Sequence, residues 1–403
     1  MKKIALIFLM ILIFGCRTKT PTGENYLRFA WWGNSERSGR TAKVAILFEN
    51  ANSGVKVEAE SDEKNAYFDR LNLSAAYGTL PDLIQLDSTA LLNWAKAGRL
   101  ADLTPRVNRG EIDVTKMDKN ALDSGSVGGK IFGICAGMSA LVIVANPAIL
   151  ASAGVSAPSD WTWSDFEKTA MKVFRQTGVK TADFGNDSSS VFEVILRQKG
   201  KQLFSDDGKT LGFSDTKDTE AFFAMLLRLA KSGALLTSDD SAAAFAEEKS
   251  WCVLAWLDEV SSLQTTFGKS TVVSPLPKNP DSAENGAFLK PALFFAIPES
   301  AENHSLAAKM IDFLLNDESA AGVLSFERGV PAAKFFRNRI AENDGESVAA
   351  DFLSAPVLRA EGSAEREVRR IFHEIERAVI NGEISAAEGA RMFVDRGTIE
   401  LSK

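Results

Sequence analysis

Histidine is almost absent from this chain: His304 and His373 are the whole supply in 403 residues. Neither forms a pair at metal-ligand spacing, and neither completes a Ser–His–Asp set. A histidine-built metal centre and hydrolysis by that triad therefore lack parts. Cysteine is scarce as well, with Cys16, Cys135 and Cys252 only. Two cysteines far apart in sequence make no disulfide framework. Each of Cys135 and Cys252 sits in an apolar run, which predicts two buried thiols instead. Positive charge is in deficit: 46 Lys and Arg stand against 53 Asp and Glu, a net of −7. That is the wrong sign for nucleic acid, whose phosphates reward basic surfaces. Phosphate-binding loops are missing too. Ser126-Val127-Gly128-Gly129-Lys130 lacks a glycine at the required distance upstream, and Ile131 stands where a metal-binding hydroxyl is needed. The segment reads as a turn before a strand. No GxGxxG follows the first strand, and neither a cofactor nor a bound metal is expected.

Long hydrophobic runs are limited to one. Met1-Lys2-Lys3 precedes an unbroken apolar stretch over residues 4–14, followed by Gly15-Cys16 and then Arg17-Thr18-Lys19-Thr20. A basic start, a short apolar run and a small residue at the break make an export signal. The run is shorter than the ~20 residues that span a bilayer. Ile13-Phe14-Gly15-Cys16 resembles the bacterial lipobox, with Phe14 where that pattern prefers a small residue. The resemblance implies a signal peptide over residues 1–15, lipidation of Cys16 and a polar tether over residues 16–24.

What remains is too long for one ordinary compact unit, since domains run to ~100–200 residues. Apolar residues make up 45% and charged residues 25%, an ordinary soluble composition. Strand patterns alternate with helical ones. Leu27-Arg28-Phe29-Ala30-Trp31 reads as a strand, and a helix from about Arg40 carries Val44, Leu47, Phe48 and Ala51 on one face. Val55-Lys56-Val57-Glu58, a helix through Tyr67 and Leu71, and Leu83-Ile84-Gln85-Leu86 continue the alternation. A second such region begins at Leu141-Val142-Ile143-Val144. It includes the capping signature Thr162-Trp163-Ser164-Asp165, a helix opened by Asp215, and the strands Val253-Leu254-Ala255-Trp256-Leu257 and Leu293-Phe294-Phe295-Ala296-Ile297. The tail from about Ala332 is helical and amphipathic. The pattern predicts an α/β protein with mainly parallel sheets covered by helices on both faces.

Five strings carry a resemblance in register over nearly the whole chain: WWGNSERSGR, GTLPDLIQLDSTALLNWAKAGRLADLTP, GKIFGICAGMSALVIVANPAIL, WTWSDFEK and LKPALFFAIPES with the AAKMIDFLLND and FERGVPA that follow. They are similar to the extracellular solute-binding proteins of family 1, the carbohydrate-binding group related to maltose-binding proteins. Cys135 stands where that family often has proline. The resemblance implies a two-lobed periplasmic-binding-protein-like fold of type II with three interlobe crossings, at residues 137–139, 291–295 and 329–331. Lobe one would hold residues 25–137 and 296–329, and lobe two residues 138–295 and 330–403. The implied partners are a carbohydrate in the cleft, the permease subunits of an ABC importer, and a membrane reached through the lipid anchor. The implied place is the periplasm or the outer face of the cytoplasmic membrane, with the protein a monomer.

A sugar presents hydroxyls in fixed directions and a patch of C–H bonds on each ring face, so its site needs directed polar groups and aromatic plates. In α/β sheets ligands meet the loops beyond the carboxyl ends of strands. Three such loops carry suitable side chains: Trp32, Glu36 and Arg37 after the first strand; Asp87 and Ser88 after Leu86; and Asp258 after Trp256 and Leu257. The resemblance points to the same loops. It adds Met138 and Ser139 at the first crossing, Lys290 near the second and Arg328 beside the third. Trp32, Asp87 and Trp256 are expected to converge, with Asp87 accepting hydroxyls and the indoles flanking the ring; strand alternation turns either Trp256 or Leu257 to the cleft. Trp31 and Trp251 are expected in the core, Trp161 and Trp163 as packing residues at a helix start, Asp82 as a turn or cap acid, and Trp94 in either cleft or core. Arg328 has a second reading, as a base satisfying helix carbonyls. The rival function is a glycoside hydrolase working with two of the carboxylates Glu36, Asp87 and Asp258, which would have to stand ~5–9.5 Å apart.

Overall fold

The structure, a computed structural model, describes residues 23–156, 160–237, 240–282, 284–324, 329–333 and 352–403. Residues 1–15, expected to be a signal peptide, lie outside the described residues, as do Cys16 and Arg328.

Chain order runs β1 (Tyr26–Trp32), β2 (Lys56–Asp62), β3 (Leu83–Asp87), the hairpin β4 (Ser126–Val127) and β5 (Lys130–Ile131), β6 (Ile134–Ser139), β7 (Leu141–Ala145), β8 (Thr181–Ala182), β9 (Leu235–Leu236), β10 (Cys252–Trp256), β11 (Val272–Pro275), β12 (Lys290–Ala296) and β13 (Val330–Pro331). Six of these form one sheet in the order β13-β6-β12-β3-β1-β2, and three form another in the order β10-β7-β11. Only Ala140 separates β6 from β7, so the chain passes from the first sheet to the second in one residue. Gly128 and Gly129, both with φ near the left-handed region at 60° and 78°, turn the β4–β5 hairpin. The glycine pair is a turn, as its sequence implies.

The inner strands of the first sheet are buried on both faces because apolar residues dominate both sides of their pleat, whereas the edge strand β2 is largely polar and exposed. Leu27, Phe29, Trp31 and Leu83 face a core shared with Val44 and Phe48 of helix Ser35–Ala51 and with Met310 and Ile311 of helix His304–Asn316. Ala30, Trp32, Ile84 and Leu86 face the opposite core, with Tyr67 and Leu71 of helix Lys64–Tyr77 and Leu91 of helix Ser88–Lys96. Parallel pairing is narrower than the sequence suggested. It holds for β2-β1-β3 and for the short pair β8-β9; β12, β6 and β13 run antiparallel, and so does the whole three-stranded sheet. The reason is connectivity: strands that enter through a helical crossover must pair in parallel, whereas strands on which the chain leaves and re-enters a sheet reverse direction.

The second core lies on the other side of β7, where Leu141, Ile143 and Ala145 meet helices. It is strongly aromatic. Phe372 packs against Phe192, Phe222, Phe223 and Phe393 with ring centroids 4.9–5.9 Å apart. The amphipathic tail supplies part of it through helices Ser363–Ile380 and Ala386–Leu401. Trp31 and Trp251 are buried in cores, as expected. Trp94 resolves to the core, 6% exposed with the Arg99 guanidinium over its ring. Thr162 and Asp165 form the capping box that opens helix Trp163–Thr177, and Trp161 and Trp163 pack around Phe166. Cys135 and Cys252 are both buried and form no disulfide.

Candidate functional site

The first candidate loop is shorter than the sequence suggested. Trp32 is the last residue of β1, and the helix begins at Ser35, five residues before the expected start. Asn34 is the reason: its Oδ1 accepts the Arg37 backbone N–H at 3.0 Å and caps the helix. Glu36 and Arg37 therefore lie in a first helical turn. Glu36 is exposed and paired with Arg40 one turn on, at 3.0 Å. Arg37 is 7% exposed, and its Nη2 donates to the Asp258 carbonyl at 2.5 Å.

A cavity of about 490 Å³ lies between this strand-turn-helix and a remote part of the chain. One wall is Trp32, Gly33, Asn34, Arg37, Glu63 and Lys64; the other is formed by Asp240, Ala242, Ala243, Val253, Leu254, Ala255, Asp258, Glu259 and side chains of the helix Val260–Phe267. The volume suits a small polar ligand. Trp32 reaches the cavity but is 5% exposed, because its indole packs against Tyr67 and Phe68 at centroid distances of 5.5 and 5.4 Å. The Lys64 ammonium lies 5.6 Å over the same ring. Asp87 lies beside this wall without lining the cavity. Its Oδ1 accepts the Ala90 N–H at 2.8 Å and caps helix Ser88–Lys96, while Oδ2 is 3.4 Å from Lys64. The exposed Ser88 donates to the Pro291 carbonyl at 3.2 Å.

The residues expected at β6, β12 and β13 lie outside the cavity lining. Ser139 is buried, and its Oγ accepts the Asp258 N–H at 3.2 Å. Met138 is fully buried and pairs with Val330. A side chain at Gly329 would put its Cβ 2.2 Å from the Met138 carbonyl, so glycine is required for β13 to approach β6. Lys290 opens β12 opposite Ser139, exposed, with its ammonium 5.3 Å over the Trp256 ring.

Trp256 ends β10 part-exposed, while Leu257 packs on the central core. The Trp256 indole lies beside the Asp187 carboxylate and favours its charged form, and Phe288 meets it edge-on at 6.3 Å. Burial pushes the Asp187 carboxyl above its ordinary range, against the pull of Trp256, Lys290 and Arg369. Sequence reading missed Asp187. It follows β8, a strand of two residues too short to show in hydrophobic pattern; the visible signal was the polar, glycine-bearing run Gly185-Asn186-Asp187. The same loop lines a second cavity of about 410 Å³ with Asp183, Ser241, Leu254, His373 and Arg377. Leu254 belongs to both cavities, so they meet at β10. His373 packs with Nδ1 3.5 Å from the buried Glu376 carboxylate. Pairing with Glu376 raises its pKa above the usual histidine value, against burial.

Behind Asp187 stands an ion network. Arg369 donates to Glu193 at 2.6 Å and to Glu361 at 2.5 Å, and its side chain is 15% exposed. Burial works against the Glu361 charge, yet Arg369 and Lys290 hold its carboxyl below the ordinary range. Asp82 proves structural: it accepts backbone N–H groups of Arg28, Glu302 and Asn303 at 2.9–3.0 Å. Among the described residues no group of three or more His, Cys, Asp or Glu could hold a metal ion, and no helix is long and apolar enough to cross a membrane.

Comparison with known proteins bears on this arrangement. A family model described as bacterial extracellular solute-binding protein matches residues 43–338. The arabinooligosaccharide-binding protein of Bacillus subtilis (strain 168) is 24% identical over 242 residues, 54% of this chain and 52% of the relative. The chain spans about half the length of that curated relative and less of a second, an uncharacterised lipoprotein of Streptomyces antibioticus. Among solved structures, an extracellular solute-binding protein of family 1 from Alicyclobacillus acidocaldarius superposes with a TM-score of 0.61 at 24% identity, covering 95% of this chain and all of that one. A periplasmic oligogalacturonide-binding protein from Yersinia enterocolitica, complexed with digalacturonic acid, gives 0.68 at 22% identity over 93% of this chain and 98% of that one. At such identities the likeness establishes the fold, which is the two-lobed α/β fold of these binding proteins.

Proposed function

The chain belongs to the bacterial extracellular solute-binding proteins, and from that premise we propose that it captures a carbohydrate between its two lobes and delivers it to the permease subunits of an ABC importer. The observation that carries the reading is the cavity of about 490 Å³ whose two walls come from residues 32–64 and 240–266 and which carries an indole edge, carboxylates, one ammonium and one guanidinium together. That mixture matches a ligand with hydroxyls on its rim and C–H faces. The relatives support the class of ligand, since their names record arabinooligosaccharide and oligogalacturonide binding.

In this reading Trp256, which ends β10 next to the cavity-lining Ala255 without lining the cavity itself, is the principal plate, flanked by Phe288 at its side and Lys290 over its face. Asp187, Asp258 and Glu259 are the hydroxyl acceptors, and Lys64 and Lys290 the donors. Lobe one comprises residues 25–137 and 296–329 and lobe two the remainder of the mature chain. The adjacency of β13, β6 and β12 in one sheet supports three crossings side by side, a hinge about which the lobes close. The protein is exported and held by a lipid on Cys16, as a monomer.

A panel of oligosaccharides tested by thermal shift decides the ligand class. A sugar at 100 times its dissociation constant stabilises the folded chain by ~2.7 kcal/mol, and chromatography of the same mixture should show the sugar unchanged. Absence of any shift across neutral, acidic and amino sugars defeats the carbohydrate reading; appearance of cleaved product revives the hydrolase. Mass spectrometry of the native amino terminus checks the anchor, and a chain beginning elsewhere than at a diacylglyceryl-modified Cys16 removes it.

A further inference from the structure

We propose that Asn34 and Arg37 are positioning residues that clasp the two cleft walls together, so that protein–protein bonds hold the closed arrangement before any ligand arrives. The inference rests on the cavity being a cleft between lobes, and it reassigns Arg37 from a base that binds sugar to one that closes the cleft. Two hydrogen bonds carry it. Arg37 Nη2 donates to the Asp258 carbonyl at 2.5 Å, and Asn34 Nδ2 donates to Ser261 Oγ at 2.7 Å. The partners lie 221 and 227 residues apart in sequence, and both bonds land at the start of the helix Val260–Phe267.

The local structure is built for this reach. Asn34 spends its Oδ1 on the helix cap, which leaves the amide NH2 aimed at the opposite wall. Gly33 makes the path for Arg37: a Cβ there would stand 2.6 Å from Arg37 Cδ, 2.8 Å from Cγ and 2.9 Å from Cβ. Any larger residue would push the arginine stem aside along its whole length. Asn34 and Arg37 are 9% and 7% exposed, so the bonds are shielded from water, where charge-assisted pairs are at their strongest. The acceptor is itself fixed, because the Asp258 N–H is bonded to the buried Ser139 hydroxyl on the crossing strand. The clasp thus runs from the first turn of one lobe, through the second lobe's turn, to the hinge.

Ligand affinity scales with the fraction of molecules in the binding-competent arrangement. A clasp therefore adjusts affinity without touching the ligand, and its loss is visible with no ligand present. The test is small-angle scattering of the full mature chain in the absence of sugar, for the native protein and for Ser261→Ala, Gly33→Ala and Arg37→Met. Ser261 lies outside the cavity lining, and its replacement removes one hydroxyl only. The expected result is a compact native protein and a larger radius of gyration in each variant, with circular dichroism unchanged. A single ligand-free radius shared by the native protein and a folded Ser261→Ala overturns the proposal, even if the larger perturbations at 33 and 37 fail to fold. Failure of the carbohydrate reading is registered separately, as absence of thermal stabilisation by sugars, and leaves this ligand-free comparison intact.

Discussion

The two walls of the cleft are made in opposite ways. The first is local: one strand end, a two-residue turn and one helix cap place Trp32, Gly33, Asn34 and Arg37 within six consecutive residues. The second is assembled from the Asp240-capped start of helix Ser241–Ala246, β10 and helix Val260–Phe267, and it adjoins at Leu254 the cavity lined by the 183–187 loop and the tail helix that carries His373 and Arg377. Their supports differ in the same sense. The first wall rests on a six-stranded sheet, whereas the second rests on a three-stranded sheet backed by a cluster of aromatic rings. A small sheet supplies few backbone bonds and little area, and large rings fill the space that strands do not. The difference teaches where each wall is vulnerable: the first through its caps, the second through distant packing and ion pairs.

The sharpest way to break that comparison is Phe372→Ala. The ring is fully buried among four other phenylalanines, and its loss should cost ~3–5 kcal/mol. Denaturant unfolding should then show the second lobe melting before the first; one coincident transition would mean that the lobes share stability more fully than their separate cores suggest.

Arg369→Met comes next. Removing one member of a buried ion network leaves Glu361 without its nearest countercharge and Glu193 with Arg197 alone, a loss of ~3 kcal/mol. The pH dependence follows from Glu361, whose carboxyl is held below its unfolded value. Its contribution is complete above the ordinary carboxylate pKa and is lost as pH falls from there through the depressed folded value. Native stability should therefore decline on acidification through that window more steeply than stability of the variant. Parallel pH profiles would show the network to be idle.

Affinity should distinguish the walls more finely. Trp256→Ala removes the part-exposed plate and should weaken sugar binding at least tenfold, ~1.4 kcal/mol or more. Trp32→Ala should cost mainly stability, since little of that indole meets the cavity. Calorimetry on both variants makes the check, and a larger affinity loss for Trp32 would move the plate to the first wall. The smallest effect is expected from Asp87→Ala, ~1 kcal/mol of stability for a lost helix cap. Asp87→Asn should recover most of it in thermal melts, because asparagine also caps. A large affinity loss in both would restore Asp87 as a hydroxyl acceptor.

Much of the first wall was written locally. The strand through Trp31, the turn chemistry of Asn34 and the strand ending at Asp87 are all patterns within a few residues, and misreading the cap at Asn34 moved the helix start by five positions. Asp87 shows the limit of such reading. A carboxylate beyond a strand end looks the same in sequence whether it serves a ligand or caps the next helix, and only the geometry at Ala90 and Lys64 separates the two. Trp32 is a similar case, since a tryptophan at a strand end gives no sign of how much of its ring Tyr67 and Phe68 will cover.

What the sequence determined by itself was the class of architecture, the alternation of strands and helices, the capping box at Thr162, the buried thiols and the core tryptophans. Each follows from periodicity or from chemistry between near neighbours. Tertiary structure alone decided the antiparallel direction of β6, β12 and β13, the meeting of Asp187 with Trp256, the half-burial of His373 beside Glu376 and the reach of Arg37 to Asp258. These contacts join residues 3 to 221 positions apart on surfaces that exist only once two sheets and a tail helix have packed. Even the nearest of them, His373 with Glu376 on one helix, depends on elements nearly 200 residues away, where Ser188 donates to Glu376 and Asp183 pairs with Arg377. Local preference fixes which elements form. Which side chains become neighbours depends on how the remaining apolar area is covered, and that is a property of the whole fold.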